Sequence, residues 1–220
     1  MLSYTEENYL KALLMLSFQN EERPEAGTNE MAAYLGVKPA TATDMLKKLK
    51  EKELVTYQKY GKILLTDVGR KKGIAVLRKH RLWETFLYEK LDFSWDEVHE
   101  VAEQLEHIQS AKLVDKLEEF LNFPEFDPHG DPIPKANGDI PSIDKVLLSE
   151  ITAGETCMVV AVKDTSAVFL QYLEKLKITI GTKISVLELI DFDGSLTIGI
   201  EKEEARSVSM KFAESLFVRR

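Results

Sequence analysis

Each of the four histidines of this 220-residue chain has carboxylates close by in the sequence. His80 and Glu84 are four residues apart in a segment of helical periodicity, which places both side chains on one helix face. In Asp127-Pro128-His129, proline restricts a loop that offers one oxygen and one nitrogen donor. The next predicted helix carries a further group on one face, separate from its apolar face, consisting of His99, Glu103, Glu106 and His107.

These donors are typical of a site for a divalent transition metal. Imidazole and carboxylate without thiolate suit Mn(II) or Fe(II) better than structural zinc or Cu(I). Any one of these groups could instead be a solvated acidic surface. All four histidines, however, lie within residues 76–145, which hold 8 Lys/Arg against 16 Asp/Glu, and this conjunction favours metal sensing. The single cysteine, Cys157, lies in an apolar run typical of a buried strand.

Other classes of protein have less support. No HExxH, GxxxxGK[ST], GxSxG or GxGxxG motif is present, so neither an enzyme nor a small-molecule substrate is predicted. No run reaches the roughly 20 apolar residues of a membrane helix, and the first residues lack the pattern of a secretion signal. We therefore expect a cytoplasmic protein without a membrane partner.

The elements that must position the donors change in type along the chain. Helical periodicity runs to residue 121 and predicts helices over 75–91 and 96–121. Five of the seven prolines then fall between residues 124 and 141, which indicates a linker or an ordered extended loop. Short β-branched runs over 155–162, 183–189 and 195–201, with one helix over 166–175, predict a small SH3-like barrel.

A helix-turn-helix pattern occupies residues 28–55. A capped short helix ends at Gly36, and Pro39 begins a second helix where its missing N–H is harmless. A strand, turn and strand over 55–66 then predict a wing with a basic, aromatic tip. Residues 1–75 carry 12 Lys/Arg against 10 Asp/Glu, the basic balance expected near phosphates.

The inward face of the second helix is predicted to hold Ala42, Met45, Leu46 and Leu49. Small and hydroxyl side chains let a helix approach base edges, and lysines hold phosphates. The residues predicted to contact DNA are Lys38, Pro39, Ala40, Thr41, Thr43, Asp44, Lys47 and Lys48 on the helix, and Tyr60 and Lys62 in the wing. The alternative is two packed helices and a hairpin with a solvated lysine face.

With both modules in place, the sequence resembles the diphtheria-toxin repressor family of iron- and manganese-dependent regulators, most closely its manganese-transport branch. The resemblance covers nearly the whole chain. It rests on Glu7-Asn8-Tyr9-Leu10, Gly36-Val37-Lys38-Pro39-Ala40-Thr41, Leu65-Thr66-Asp67-Val68-Gly69, Arg78-Lys79-His80-Arg81-Leu82, Val98-His99, Glu106-His107 and the run from Asp127 to Pro134.

The resemblance implies a fold that is mainly α with β. It comprises a winged helix-turn-helix domain (1–73), a helical dimerisation and metal-binding domain (74–145) and an SH3-like, FeoA-like domain (146–220). It also implies two sets of metal ligands: one with Asn8, Glu103, Glu106 and His107, the other with His80, Glu84, His99, Asp127, His129 and Asp164. Where iron-sensing members carry cysteine this chain has Glu103, which points to the harder ion Mn(II).

The predicted function is thus a homodimeric repressor that binds double-stranded operator DNA when loaded with Mn(II) and controls metal-uptake genes. Two readings stay open beside it: an Fe(II)-dependent repressor of the same family, and a DNA-binding regulator that senses no metal. A metalloenzyme with an open site is a third class, for which no nucleophile or general base is found.

Overall fold

The computed structural model describes residues 2–19, 25–58, 61–200 and 204–220. The chain folds into two compact units. The first comprises Met1–His80, Glu103–Lys116 and Pro134–Ile140, and the second comprises Arg81–Ala102, Leu117–Ile133 and Pro141–Arg220. The division into three consecutive domains stays a prediction. No helix in the described ranges is both long and apolar enough to cross a bilayer.

The first unit contains the predicted winged helix-turn-helix. Its elements in chain order are α1 (Tyr4–Gln19), β1 (Ala26–Gly27), α2 (Thr28–Tyr34), α3 (Pro39–Glu51), β2 (Val55–Tyr57) and β3 (Lys62–Leu65). The three strands form an antiparallel sheet in the order β1-β3-β2. The two strands of the wing were predicted, whereas β1 was not, because two residues are too short to show an alternating pattern.

The core of this unit is built from the inward faces of its helices. Ala42, Leu46 and Leu49 of α3 are fully buried, as predicted, and pack with Leu10 of α1 and Met31 of α2. Pro39 is the first residue of α3, where no intrahelical hydrogen bond needs its missing N–H. The apolar spacing of α3 therefore fixes which of its faces remains available to a ligand.

The long helix α4 (Asp67–Leu91) begins eight residues earlier than the predicted start at Ala75. Gly69 and Gly73 weaken the helical pattern of its first turns, but their missing side chains are needed for packing. A Cβ on Gly69 would lie 1.9 Å from the carbonyl oxygen of Leu54, and one on Gly73 would lie 2.9 Å from that of Leu10. The glycines therefore let the start of α4 lie directly against α1 and the residues that follow α3.

The prediction of one helix over 96–121 is wrong. The segment forms α5 (Val98–Leu105) and α6 (Ala111–Phe120), separated by a turn. The Ser110 hydroxyl accepts a hydrogen bond from Leu113 N at 3.3 Å, and such a serine favours the start of a helix over its interior. Glu106 and His107 consequently follow the end of α5 instead of continuing its face.

The second unit contains the β-rich C-terminal part of the chain. Six antiparallel strands have the order β4-β9-β5-β6-β7-β8. Their bounds are β4 (Val146–Leu147), β5 (Thr156–Val162), β6 (Lys183–Leu189), β7 (Leu196–Ile200), β8 (Arg206–Val208) and β9 (Leu216–Arg219). A short 3-10 helix (Leu148–Glu150), α7 (Ala167–Lys175) and α8 (Met210–Ala213) complete the unit.

The longer strands β5, β6 and β7 and the helix α7 agree with the predicted segments, and the combination of helices with this sheet confirms the predicted fold class. Cys157 is buried in β5, as expected from its apolar run, and burial raises the pKa of its thiol to about 11. A thiol in this environment stays protonated at neutral pH, consistent with a role in packing.

Candidate metal sites and DNA interface

The first helix presents a polar face to the residues that follow α5. Tyr4, Glu7, Asn8 and Lys11 are spaced at i, i+3, i+4 and i+7 and therefore share one side of α1. We call four predicted ligands the helix cluster. They are Asn8 on this face of α1, and Glu103, Glu106 and His107 opposite it. All four belong to the first unit.

His107 is held in one orientation by its neighbours. Its Nδ1 lies 2.6 Å from Glu7 Oε2, and the ring of Tyr4 stacks on the imidazole at a centroid distance of 4.5 Å. Gln109 Nε2 donates to the other oxygen of Glu7 at 2.8 Å. Donation of Nδ1–H to a carboxylate leaves the lone pair on Nε2, the arrangement common in metal-binding histidines.

Glu106 is the most buried carboxylate of the helix cluster, with no exposed surface. Its Oε2 accepts hydrogen bonds from Lys11 Nζ and His80 Nδ1, each at 2.6 Å. Burial by itself raises the pKa of Glu106, but the hydrogen bond from His80 and the charge of Lys11 outweigh it and lower the pKa below the usual value. The carboxylate is therefore ionised at neutral pH.

Two buried oxygens of the helix cluster have no hydrogen-bond donor among the described residues: Glu106 Oε1 and Asn8 Oδ1. His107 Nε2 lies 3.8 Å from Glu106 Oε1. An unsatisfied buried acceptor costs free energy, so such groups call for a bound water or ion. An unsatisfied carboxylate oxygen close to an imidazole lone pair fits a divalent cation, and Asn8 lies on the face of α1 whose Glu7 and Lys11 contact these two residues.

A second cluster of donors is formed by Glu84, Asp127 and His129, which we call the loop cluster. All three residues are buried, and one donor atom of each lies within 4.8 Å of the others. His129 Nε2 donates to the carbonyl of Trp95 at 2.9 Å, which leaves Nδ1, 3.9 Å from Glu84 Oε2, with the lone pair. His99 joins from α5, with Nδ1 3.1 Å from Glu84 Oε1.

The charges of the loop cluster also suit a cation. Burial raises the pKa of Asp127 well above its usual value, and the nearby charges of Glu84 and Asp131 raise it further, with Arg81 opposing them. Asp127 Oδ1 accepts hydrogen bonds from the backbone N–H groups of His129 and Asp131, so its Oδ2 remains for Arg81 or a cation. Buried carboxylates this close together are stabilised by added positive charge.

Strand β5 and Trp95 fix the loop that carries Asp127 and His129. Val162 N donates to the carbonyl of His129 at 2.9 Å, and Trp95 Nε1 donates to the carbonyl of Pro128 at 2.8 Å. Gly130 has a φ of +84°, and a Cβ there would lie 2.0 Å from Val160 O. The loop therefore approaches the strand as closely as glycine alone permits.

Comparison with known proteins agrees with this organisation. Residues 1–63 match the model of the iron-dependent repressor N-terminal DNA-binding domain, and residues 66–135 match that of the iron-dependent repressor metal-binding and dimerisation domain. Residues 146–220 match the FeoA domain.

Individual relatives are regulators as well. The chain is 40% identical over 103 residues to the iron-dependent repressor IdeR of Mycobacterium bovis, which covers 44% of the chain and 45% of IdeR. It is 30% identical over 117 residues to the HTH-type transcriptional regulator MntR of Bacillus pumilus, covering 53% of the chain and 78% of MntR. The chain thus spans less than half the length of some relatives that it matches, IdeR among them.

A solved structure described as a manganese-dependent transcriptional repressor in complex with manganese superposes with a TM-score of 0.85. It is 34% identical in sequence and covers 97% of this chain and 99% of its own. The chain belongs to the diphtheria-toxin repressor family. The three family models match this family member in the order DNA-binding domain, metal-binding and dimerisation domain, and FeoA domain.

Within this diphtheria-toxin repressor family member, two predicted ligands make contacts that the sequence did not indicate. His80 is one turn before Glu84 on α4, as its spacing predicted, and its Nδ1 also contacts Glu106. Asp164 follows β5, and its Oδ1 accepts a hydrogen bond from Ser166 N at 2.9 Å. Among the described residues, the cluster of Glu84, Asp127 and His129 does not include it, so ligation by Asp164 stays a prediction.

The sequence analysis did not predict the contacts that two residues of α1, Glu7 and Lys11, make with the helix cluster. Glu7 contacts His107, a pairing that the sequence did not indicate. The pairing of Lys11 with Glu103 and Glu106 was not foreseen. The spacing of polar residues along α1 could have indicated both contacts, because it places Glu7 and Lys11 on the same helix face as Asn8.

The predicted DNA-contacting residues lie on one accessible side of the reader. Those on or before α3 that are exposed are Lys38, Pro39, Ala40, Thr41, Asp44, Lys47 and Lys48. Thr43 is half-buried and donates its hydroxyl to Pro39 O, and Lys62 of β3 is half-buried in the wing. Tyr60 lies outside the described residues. Contact of these side chains with DNA stays a prediction.

Proposed function

We propose that this protein is a homodimeric transcriptional repressor that binds operator DNA when its metal sites hold Mn(II). The observation that carries the proposal is Glu106 Oε1, a buried oxygen without a donor among the described residues, 3.8 Å from His107 Nε2. A second such oxygen, Asn8 Oδ1, belongs to the face of α1 whose Glu7 and Lys11 contact His107 and Glu106. The three groups come from two separate segments, α1 and the turn after α5. Such a convergence of acceptors supports a cation site.

The residues of the helix cluster connect DNA reading with metal binding. Asn8 lies on α1, whose apolar face packs with α2 and α3 of the reader, whereas Glu106 and His107 follow α5. A bound divalent ion supplies positive charge shared by these donors. By linkage, if metal favours the DNA-competent arrangement, DNA tightens metal binding by the same factor.

The donor set favours Mn(II), with Fe(II) as the alternative. Carboxylate, amide and imidazole ligands suit both ions, and the absence of a thiolate from the helix cluster, where Glu103 stands, favours the harder one. The similar structure described as manganese-dependent and the relative named MntR support Mn(II), and the relative IdeR supports Fe(II).

The exposed face of α3 in the helix-turn-helix supports operator binding. Small and hydroxyl side chains at Ala40 and Thr41 lie at the start of α3, and Lys47 and Lys48 follow on its exposed side. A recognition helix of this kind enters the major groove, where its first residues reach base edges. Two copies in a symmetric dimer would read a pseudo-palindromic site.

The test begins with selection of duplexes from a random pool by the Mn(II)-loaded protein, followed by fluorescence anisotropy of a selected duplex with and without Mn(II). We expect Mn(II) to tighten binding at least tenfold. In His107→Ala this effect is lost, whereas Gln104→Ala, an exposed neighbour on α5, retains it. Equal affinity of the wild-type protein in both conditions would sink the proposal.

A DNA-binding regulator that senses no metal is the second candidate. One observation favours it: the ammonium of Lys11 already contacts both Glu103 and Glu106. Equilibrium dialysis against Mn(II) separates the two functions. Stoichiometric metal that is lost in His107→Ala supports the first, and uptake that is unaffected by this substitution supports the second.

A further inference from the structure

The ammonium of Lys11 lies inside the helix cluster. Its Nζ is 2.6 Å from Glu106 Oε2 and 3.3 Å from Glu103 Oε1, and 12% of its side chain is exposed. Lysine is rarely buried to this extent without a partner, and the contact joins residues 95 positions apart in the sequence. The position of the ammonium is therefore fixed by the carboxylates of the cluster.

The two oxygens of Glu106 are used differently. Oε2 contacts both Lys11 and His80, whereas Oε1 has no donor among the described residues and faces His107. A carboxylate commonly bridges two metal ions by binding one ion with each oxygen. With Oε2 engaged, Glu106 offers an oxygen to one ion on the Oε1 side.

The charge balance of the helix cluster also favours a single divalent ion. Three carboxylates, Glu7, Glu103 and Glu106, stand with two ammonium groups, Lys11 and the buried Lys79, which leaves a formal charge of −1. One divalent ion changes this to +1, and two would change it to +3. Because excess charge beside the buried Glu106 is costly, a second ion is disfavoured.

We propose that Lys11 is a built-in cation that takes the place of a second metal ion in the helix cluster, limits the cluster to one divalent ion, and links α1 to Glu103 and Glu106 in the metal-free protein. The inference rests on the proposed function, since it concerns the same site. Lys11 determines the metal stoichiometry of the site and is not itself a ligand.

The stoichiometry of Mn(II) tests this. Full-length wild-type protein and Lys11→Glu are dialysed to equilibrium against Mn(II), bound metal is counted by mass spectrometry, and the Mn(II) electron paramagnetic resonance spectrum is recorded. We expect Lys11→Glu to bind one more ion per chain than the wild type and to show the broadened signal of a spin-coupled pair. An unchanged count would refute the inference.

Lys52→Glu is the matched control. Lys52 Nζ lies 2.6 Å from Glu6 Oε1, so the substitution makes the same change of charge beside another glutamate, outside the helix cluster. Its metal count should equal that of the wild type. A gain in Lys52→Glu equal to that in Lys11→Glu would overturn the inference, because added negative charge alone would then explain the extra ion.

Lys11→Gln provides a second measurement if Lys11→Glu does not fold. It removes the ammonium without adding a carboxylate, so we expect a lower melting temperature in the metal-free protein and a larger rise on addition of Mn(II) than in the wild type. An equal rise in both proteins would overturn the inference.

Failure of the inference and failure of the proposed function give different results. If the wild type binds Mn(II), loses an ion in His107→Ala and gains none in Lys11→Glu, the metal-dependent function stands and the role of Lys11 is refuted. If the wild type binds no Mn(II) that depends on His107, the proposed function itself is refuted and the inference with it.

Discussion

Glu7 and His107, 100 positions apart in the sequence, are joined by a contact of 2.6 Å between Oε2 and Nδ1. The carboxylate fixes the tautomer of the imidazole and directs its Nε2 toward Glu106. We therefore expect Glu7, on the first helix, to influence metal binding through the orientation of His107.

Glu7→Gln should therefore weaken Mn(II) binding by about 10- to 100-fold, the usual effect of removing a carboxylate that orients a metal-binding histidine. Isothermal titration calorimetry of the full-length protein measures it. Glu6→Gln is the control, since Glu6 is equally buried but pairs with Lys52. If both variants bind Mn(II) like the wild type, Glu7 has no such role.

Gly130→Ala should destabilise the second unit. A methyl group at Gly130 would overlap Val160 O, so the φ of +84° and this overlap together should cost about 2–4 kcal/mol. Gly154→Ala is the control in the same unit, because Gly154 has a φ of +91° but open space where a methyl group would lie, and about 1 kcal/mol is expected there.

Thermal unfolding followed by tryptophan fluorescence reports on the Gly130 variant, because both tryptophans, Trp83 and Trp95, belong to the second unit. We expect the melting temperature of Gly130→Ala to fall by several degrees more than that of Gly154→Ala. Equal falls in the two variants would show that the close approach to β5 contributes nothing to stability.

Asp127 gives the metal-free protein a dependence of stability on pH. Its pKa in the folded protein is raised, mainly by burial and then by Glu84 and Asp131, so the folded state binds a proton that the unfolded state has released. Stability is therefore lost as pH rises from about 4, the usual aspartate pKa, toward the raised pKa. Below that range the residue has no such effect.

Relative to the wild type, Asp127→Asn should consequently gain stability as pH increases from about 4 toward neutrality, by up to about 1.4 kcal/mol per pH unit. Melting temperatures of both metal-free proteins across this range measure it, with the exposed Asp144→Asn as the control. Parallel curves for Asp127→Asn and the wild type would contradict a raised pKa.

Lys48→Ala should weaken binding to all DNA sequences by a similar factor, because Lys48 is exposed on α3 and is predicted to contact phosphate. The slope of log K against log salt concentration should become shallower by about 1. Anisotropy titrations at several salt concentrations determine the slope, and Lys175→Ala on α7 serves as the control. An unchanged slope would remove Lys48 from the interface.

Structural features that depend on neighbouring residues could be predicted from the sequence alone. The buried face of α3, the wing strands and the long strands β5, β6 and β7 follow from local periodicity, because helices and strands repeat their apolar positions at fixed intervals. The types of donor, and hence the class of metal, also follow from composition and spacing along the chain.

Which of these side chains are in contact depends on the packing of segments that are distant in the sequence. His80 contacts Glu106 as well as standing one turn from Glu84, Lys11 lies between Glu103 and Glu106, and Asp164 caps a turn of its own. The division of the predicted helix at Ser110 placed Glu106 and His107 in a turn, where a helical projection could not locate them. Contacts between residues about 100 positions apart depend on packing of the whole unit, and no local pattern of the sequence encodes them.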